Sequence, residues 1–350
     1  MSNSKQIHIA IIGQKSSNSY AHLFAIIRTL REIKCLEIRI IVFTYDAYES
    51  GILNHNLIDK CYCIPSPKKN KLVFLSRLDH IVSEEIIDYI IPCYDKNFID
   101  YIKLKPQFKK RGIRMLIPSI IQYNSFVNDF FLSSEKIQNI NIPSKKLIRT
   151  KNDIHNDNYN YNYPIYVSNL FGELSIEESK EQLERQYNKL LIKKEFPVFI
   201  QETCKVANYK FLALGDGTGN TREIISVKKI QNSSTDTAWI SSSENIPKIE
   251  NLIRSFINKT KWFGAIEFEF EIKKSNECFL VGAKPHFPDW VYFAAKAGNN
   301  IPELFLQLLL GMHISNEKKK TFENKIHLKY SWDIIMDKQE FENFMLSSEI

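Results

Sequence analysis

The stretch WFGAIEFEFEI (262–272) sets three glutamates, Glu267, Glu269 and Glu271, at alternate positions. In an extended strand alternate side chains share a face, so the three carboxylates form a row. Such a row suits a hard cation that takes oxygen ligands. A few residues on, FLVGAKPHFPDW (279–290) supplies Gly282, Lys284 and His286, again at alternate positions. Glycine offers no side-chain ligand and an ammonium repels a metal ion, so the partner row is wrong for the cation that the first row invites. Two accounts of Lys284 stay open. It is a built-in cation that stands among Glu269 and its neighbours where a metal would be, since a buried carboxylate left uncompensated costs about 3–5 kcal/mol; or its stem runs out to solvent. Glu267, Glu269 and Glu271 as a ladder for another cation is a further alternative, and a solvated or lysine-paired acidic face is the plain one. Asp289 and Tyr292 lie close enough to His286 to suggest acid–base work, but FPDWVYF reads as a packed turn entering a helix. The eight histidines show no i, i+4 pair, and no serine sits in a nucleophile-elbow pattern.

The elements that must position these residues alternate along the first 150 positions. HIAIIG (8–13), IRIIVFT (38–44), KCYCIPS (60–66), DYIIPC (88–93) and RMLIPS (114–119) are short apolar runs, and amphipathic segments such as YAHLFAIIRTLREI separate them. Strands covered on both faces look like this, so an open parallel sheet with crossover helices is expected. The first strand is followed by GQKSSNSYAH, one glycine and then serines, which is not a dinucleotide fingerprint. Residues 151–163 are nearly all Asn, Asp, Tyr and Lys and read as a loop or linker. Beyond them come a strand (163–169), a charged helix (175–194), a strand (197–203), a hairpin with the turn GDGTGN and a helix ending at Thr260. After the two glutamate and lysine stretches follow an amphipathic helix (301–311) and WDIIMDKQEFENFM, which predicts a strand and a helix.

Composition narrows the class. The chain has 350 residues, 44% hydrophobic and 25% charged, enough to bury a full core in two or three units. No apolar run approaches the roughly 20 residues needed to cross a bilayer, and the polar start MSNSKQ lacks a signal peptide, so a cytoplasmic, non-membrane protein is expected. Six scattered cysteines read as reduced thiols rather than a zinc site; Cys61 and Cys63 point to one face of a short strand. The net charge of +7 comes from lysines spread over presumed loops without interleaved aromatics, which argues against a nucleic-acid face.

Several strings, taken in order, resemble the ATP-grasp superfamily, and within it stand-alone bacterial proteins distantly related to carbamoyl-phosphate synthetase. They are DYIIPCYDKNFIDYI, GIRMLIPSIIQYNSFVNDFF, YPIYVSN, PVFIQET, WFGAIEFEFEI and FLVGAKPHFPDWVYFAAKAGNNIPELFLQLLLG. The resemblance covers nearly the whole chain. It implies an α/β fold with an N-terminal open parallel-sheet domain (1–125), a small lid subdomain (126–203) and a C-terminal antiparallel-sheet α+β subdomain (204–350). It also implies an activity, the activation of a carboxylate as an acyl phosphate with ATP and magnesium. Such chemistry gathers negative charge that metal ions and basic side chains must offset.

Position by position, the chemistry is depleted. Glu269, with Glu267 beside it, falls where the family has a metal ligand; Gly282, Lys284 and His286 fall on the glutamate, asparagine and arginine of its second strand. Ser168 stands where a phosphate-binding lysine ends a strand, and Asp129 and Phe130 stand near another. The lid loop NLFGELS has one glycine. Gln201 and Glu202 match the strand that pairs with adenine, with Val206 in place of a following glycine, and Lys228 or Lys229 could reach phosphates. The resemblance thus implies a degenerate binding or regulatory partner without cofactor, working with a homologous ATP-grasp subunit, as a homodimer, or with a peptide or carrier substrate in biosynthesis. An active atypical ligase using ATP and magnesium is the alternative, and a nucleotide sensor without turnover is a third.

Overall fold

The computed structural model describes residues 6–13, 20–46, 54–93, 98–126, 146–155, 161, 163–168, 174–193, 198–202, 207–231, 239–241, 246–273, 277–312, 326–327 and 337–349. The first sheet comprises β1 (Ile7–Ile12), β2 (Ile38–Thr44), β3 (Lys60–Cys63), β4 (Tyr89–Pro92) and β5 (Arg114–Met115), all parallel, in the order β3-β2-β1-β4-β5. Its helices are α1 (Tyr20–Arg31), α2 (Lys71–Glu84), α3 (Phe98–Lys110) and α4 (Ile120–Phe126). The runs are apolar on both faces because both are covered. Ile9, Ile11, Ile40 and Val42 pack in one core with Leu23 and Ile27 of α1, and Ala10, Ile12, Ile41 and Phe43 pack in a second with Phe74, Leu78 and Phe108 of α2 and α3.

The second sheet, order β6-β9-β7-β8, is small and antiparallel. It holds β6 (Lys146–Ile148), β7 (Ile165–Ser168), β8 (Leu174–Glu177) and β9 (Val198–Glu202), with a one-turn α5 (Asn152–His155) and α6 (Lys180–Ile192). Leu183, Tyr187 and Leu190 of α6 cover Ile165, Val167, Val198 and Ile200. The helix expected over 175–194 starts later. Residues 174–177 pair with β7 instead, and Ser179 caps the helix by accepting from the Gln182 N–H. The expected linker is not wholly irregular either, since Asp153 accepts from the N–H groups of Arg149 and Thr150 and closes the α5 turn.

The third sheet runs β14-β13-β10-β11-β12-β15 and is antiparallel. Its strands are β10 (Ala207–Asp216), β11 (Thr221–Gln231), β12 (Trp239–Ser241), β13 (Phe263–Ile272), β14 (Cys278–Lys284) and β15 (Ile326–His327). Its helices are α7 (Pro247–Thr260), α8 (Val291–Lys296) and α9 (Ile301–Leu309), and a last helix α10 (Lys338–Ser347) ends against β3 of the first sheet. The strand expected in WDIIM lies outside the described residues. One face is sealed by α7, whose Ile249, Ile253, Phe256 and Ile257 pack on Phe211, Phe268 and Phe270. Across the β10–β11 hairpin, Asp216 accepts from the N–H and hydroxyl of Thr218 and pairs with Arg222 at 2.9 Å. Beside it a Cβ on Gly215 would lie 2.3 Å from the Trp262 carbonyl oxygen, so only glycine allows this approach of strand and helix end. Among the described residues no helix is long and apolar enough to cross a membrane.

Candidate functional site

Alternation on β13 buries Phe268 and Phe270 under α7 and turns Glu267, Glu269 and Glu271 to the opposite face. That face meets the second sheet, and the Tyr166 hydroxyl of β7 crosses to donate to Glu271 Oε1 at 2.6 Å. Register places Asn208, Lys210 and Leu212 of β10 opposite Glu271, Glu269 and Glu267, and Lys284 and Gly282 of β14 opposite Glu267 and Glu269.

Each carboxylate in the row has its own protein donor. Glu267 is the deepest, only 5% exposed. Trp290 Nε1–H donates to its Oε1 at 2.7 Å, Lys210 Nζ lies 3.5 Å from the same oxygen, and His286 Nε2 lies 3.4 Å from Oε2. Burial alone would raise its pKa; the charge of Lys210, then contact with His286 and the charges of His286 and Lys284, outweigh that and hold it well below the usual carboxylate range. Glu269 accepts from Asn208 Nδ2 at 2.8 Å. Glu271 has the Tyr166 hydroxyl.

Lys284, for which a place among Glu269 and its neighbouring carboxylates and a stem run out to solvent were both open, is paired across the strands with Glu267 and acts on it by charge; the ammonium in contact with Glu267 is that of Lys210, with the His286 imidazole beside it. His286 is buried, and its ring lies 4.8 Å from that of His22 at the start of α1. Burial, then the neighbouring His286, lowers the His22 pKa to about 3. Burial likewise lowers that of His286, against the pull of Glu267. The turn through Phe287 and Trp290 is packed into the core that α1 shares, as its aromatic pattern implied.

On the crevice side of the second sheet lie Tyr166, the buried Ser168 and Gln201, the last opposite Tyr166 in register. Gln201 is 4% exposed, and among the described residues neither its Oε1 nor its Nε2 has a hydrogen-bond partner. Glu202 is placed through its backbone, paired with Ile165. The two lysines of β11 separate: Lys229 pairs with Asn208 on the carboxylate side, while Lys228 pairs with Tyr209 and lies over that ring at 5.6 Å. Asp129, Phe130, the 169–173 loop and Val206 lie outside the described residues. Among the described residues no group of three or more His, Cys, Asp or Glu side chains is arranged to hold a metal ion. Among the described residues Cys61 and Cys63 both pack on the first core.

Lys210, Trp290, Asn208, Tyr166 and His22 were not foreseen. The alternation of NYKFLAL would have placed Lys210 and Asn208 on one face, but not which carboxylates they meet. His22 carries no signal of its own in an amphipathic helix.

No family model matches the sequence, and no curated protein matches it. Solved structures do. The biotin carboxylase of Campylobacter jejuni, in a βγ-ATP complex, superposes with a TM-score of 0.62 at 13% identity over 89% of this chain and 73% of that one. The N5-carboxyaminoimidazole ribonucleotide synthetase of Thermotoga maritima gives 0.56 at 16% identity over 90% and 78%. The L-amino acid ligase of Bacillus licheniformis gives 0.59 at 13% identity over 86% and 73%. This chain has the ATP-grasp fold.

An ATP-grasp fold implies ATP and magnesium, and the residues present do not fit the metal. Magnesium takes oxygen ligands in near-octahedral array. Here Glu269 faces Gly282 and is bonded to Asn208, and the next carboxylate is already in contact with an ammonium, an imidazole and an indole N–H. A divalent ion would have to displace Lys210 and come within the field of Lys284.

Proposed function

We propose that this ATP-grasp protein is a non-catalytic binding or regulatory partner in a biosynthetic system, its crevice held together without metal by its own cations. The observation that carries this reading is the compensation of buried Glu267 by Trp290, Lys210 and His286. Fold alone does not license catalysis. A homologous ATP-grasp subunit, a second copy of this chain, or a peptide or carrier substrate is the class of partner; the 2-oxoglutarate carboxylase biotin carboxylase domain, similar at a TM-score of 0.61, is a dimer. Calorimetric titration with ATP, with and without magnesium, tests the reading. No heat in either case is expected, and magnesium-dependent binding refutes it in favour of an active atypical ligase.

Gln201 favours a second reading. An amide buried with both atoms unsatisfied costs about 1–3 kcal/mol, and a ligand edge offering one donor and one acceptor would remove that cost. A nucleotide sensor without turnover would bind ATP in the titration independently of magnesium, and Gln201→Leu would abolish it.

A further inference from the structure

β3 is the outer strand of the first sheet, and its free edge is covered by the same chain. Cys63 N–H donates to the Ser348 carbonyl at 2.8 Å, and Tyr62 and Glu349 form an isolated antiparallel bridge. Arg77 of α2 holds both sides. Its Nε donates to the Cys63 carbonyl at 3.2 Å and its Nη2 to that of Ser348 at 3.3 Å, and Nη2 stands 3.6 Å from Glu349 Oε2. The chain reaches this edge because α10 ends at Ser348 in a left-handed conformation, φ 60°.

Two aromatics of α10 anchor the segment from the other side. Phe344 is fully buried in the core shared with α1, Phe341 packs against it in part, and Leu346 is 86% exposed. An open sheet edge is a ready template for another strand. Around this one the surface is basic and apolar. Lys68, Lys69 and Lys71 are exposed, Lys60 lies over the Tyr62 ring, and Leu72 and Val73 stand out at the start of α2, Val73 one turn before Arg77. Most of the resident segment is the helix α10, and only Ser348 and Glu349 lie on the edge, where the Glu349 carboxylate is the charge complementary to Arg77.

We propose that the β3–α2 face is a docking surface for an extended acidic segment of a partner protein, entering antiparallel to β3 with a carboxylate on Arg77. Ser348 and Glu349 occupy it in the partner's absence. Strand addition to an exposed edge is an established mode of peptide recognition. The proposal goes beyond the state of the crevice, and nucleotide titration bears only on the latter.

The probe is a fluorescent synthetic peptide of residues 337–350 added to the full chain. A tethered segment competes at an effective concentration on the order of millimolar, so the intact protein is expected to bind the peptide weakly. Phe344→Asp should detach the resident segment and raise the apparent affinity by about tenfold or more. Arg77→Glu added to that variant should abolish binding. Glu349→Arg, which keeps the Phe344 anchor and repels Arg77, is the second route. It should likewise raise affinity and speed hydrogen exchange at the Cys63 amide, and it decides the matter if Phe344→Asp does not fold. Equal binding to intact and released proteins, or none to the released ones, overturns the proposal.

Discussion

Replacing Lys210 by methionine removes an ammonium from a buried carboxylate while keeping most of the stem's volume. At 3.5 Å from Glu267 Oε1 the attraction is about 5 kcal/mol at an effective dielectric near 20. Water screens part of it, because the Lys210 side chain is 19% exposed against 6% for Glu267. Trp290 and His286 also stay in place. A net loss of about 2–3 kcal/mol follows, at or below the roughly 3–5 kcal/mol that breaking a fully buried pair costs. Urea unfolding at neutral pH measures it. The double variant Lys210→Met with Glu267→Gln should recover most of the loss, since a neutral amide still accepts from the Trp290 indole and no longer needs a cation. A loss below about 0.5 kcal/mol for Lys210→Met, or a double variant no more stable than the single, would refute the view that the protein's own cations stand in for a metal.

The same cluster sets a pH dependence. His22 is shifted down to about 3, so the unfolded chain takes up a proton first and stability declines as pH falls from 6.5 towards 3. Glu267 is also depressed, and its contribution, fully present above the unfolded value of about 4.3, is lost as pH falls further. Chemical denaturation between pH 7 and 4 should show the fall, and His22→Phe should flatten its upper part. Gly215→Ala drives a Cβ into the Trp262 carbonyl and should cost about 2 kcal/mol or more by thermal unfolding. Asp216→Ala removes the acceptor for Thr218 and Asn220 and the partner of Arg222, a carboxylate whose pKa those bonds hold at about 2 in spite of its burial. A loss of about 1–2 kcal/mol in urea unfolding is expected.

The parallel sheet was legible because its strands are short unbroken apolar runs, and IRIIVFT became β2 residue for residue. The three-glutamate row was legible for the same reason, since period-two alternation fixes a face before any partner is known. Residues 175–177 read as helix because SIE continues smoothly into the charged pattern that follows; only pairing with β7 separates them. The compensation of Glu267 was half legible. Lys284 sits on the neighbouring strand and is visible from the local string, whereas Lys210 comes from a strand more than fifty positions earlier and His22 from another sheet's helix. Such long-range pairing follows from register, which a single sequence does not state.

The Tyr166–Glu271 bond ties the small second sheet to the floor of the crevice. Parting the two sheets costs at least the breaking of a hydrogen bond to a buried carboxylate, about 1.5–3 kcal/mol. Whatever enters between them must meet that cost by supplying, on arrival, an equal acceptor for the phenol.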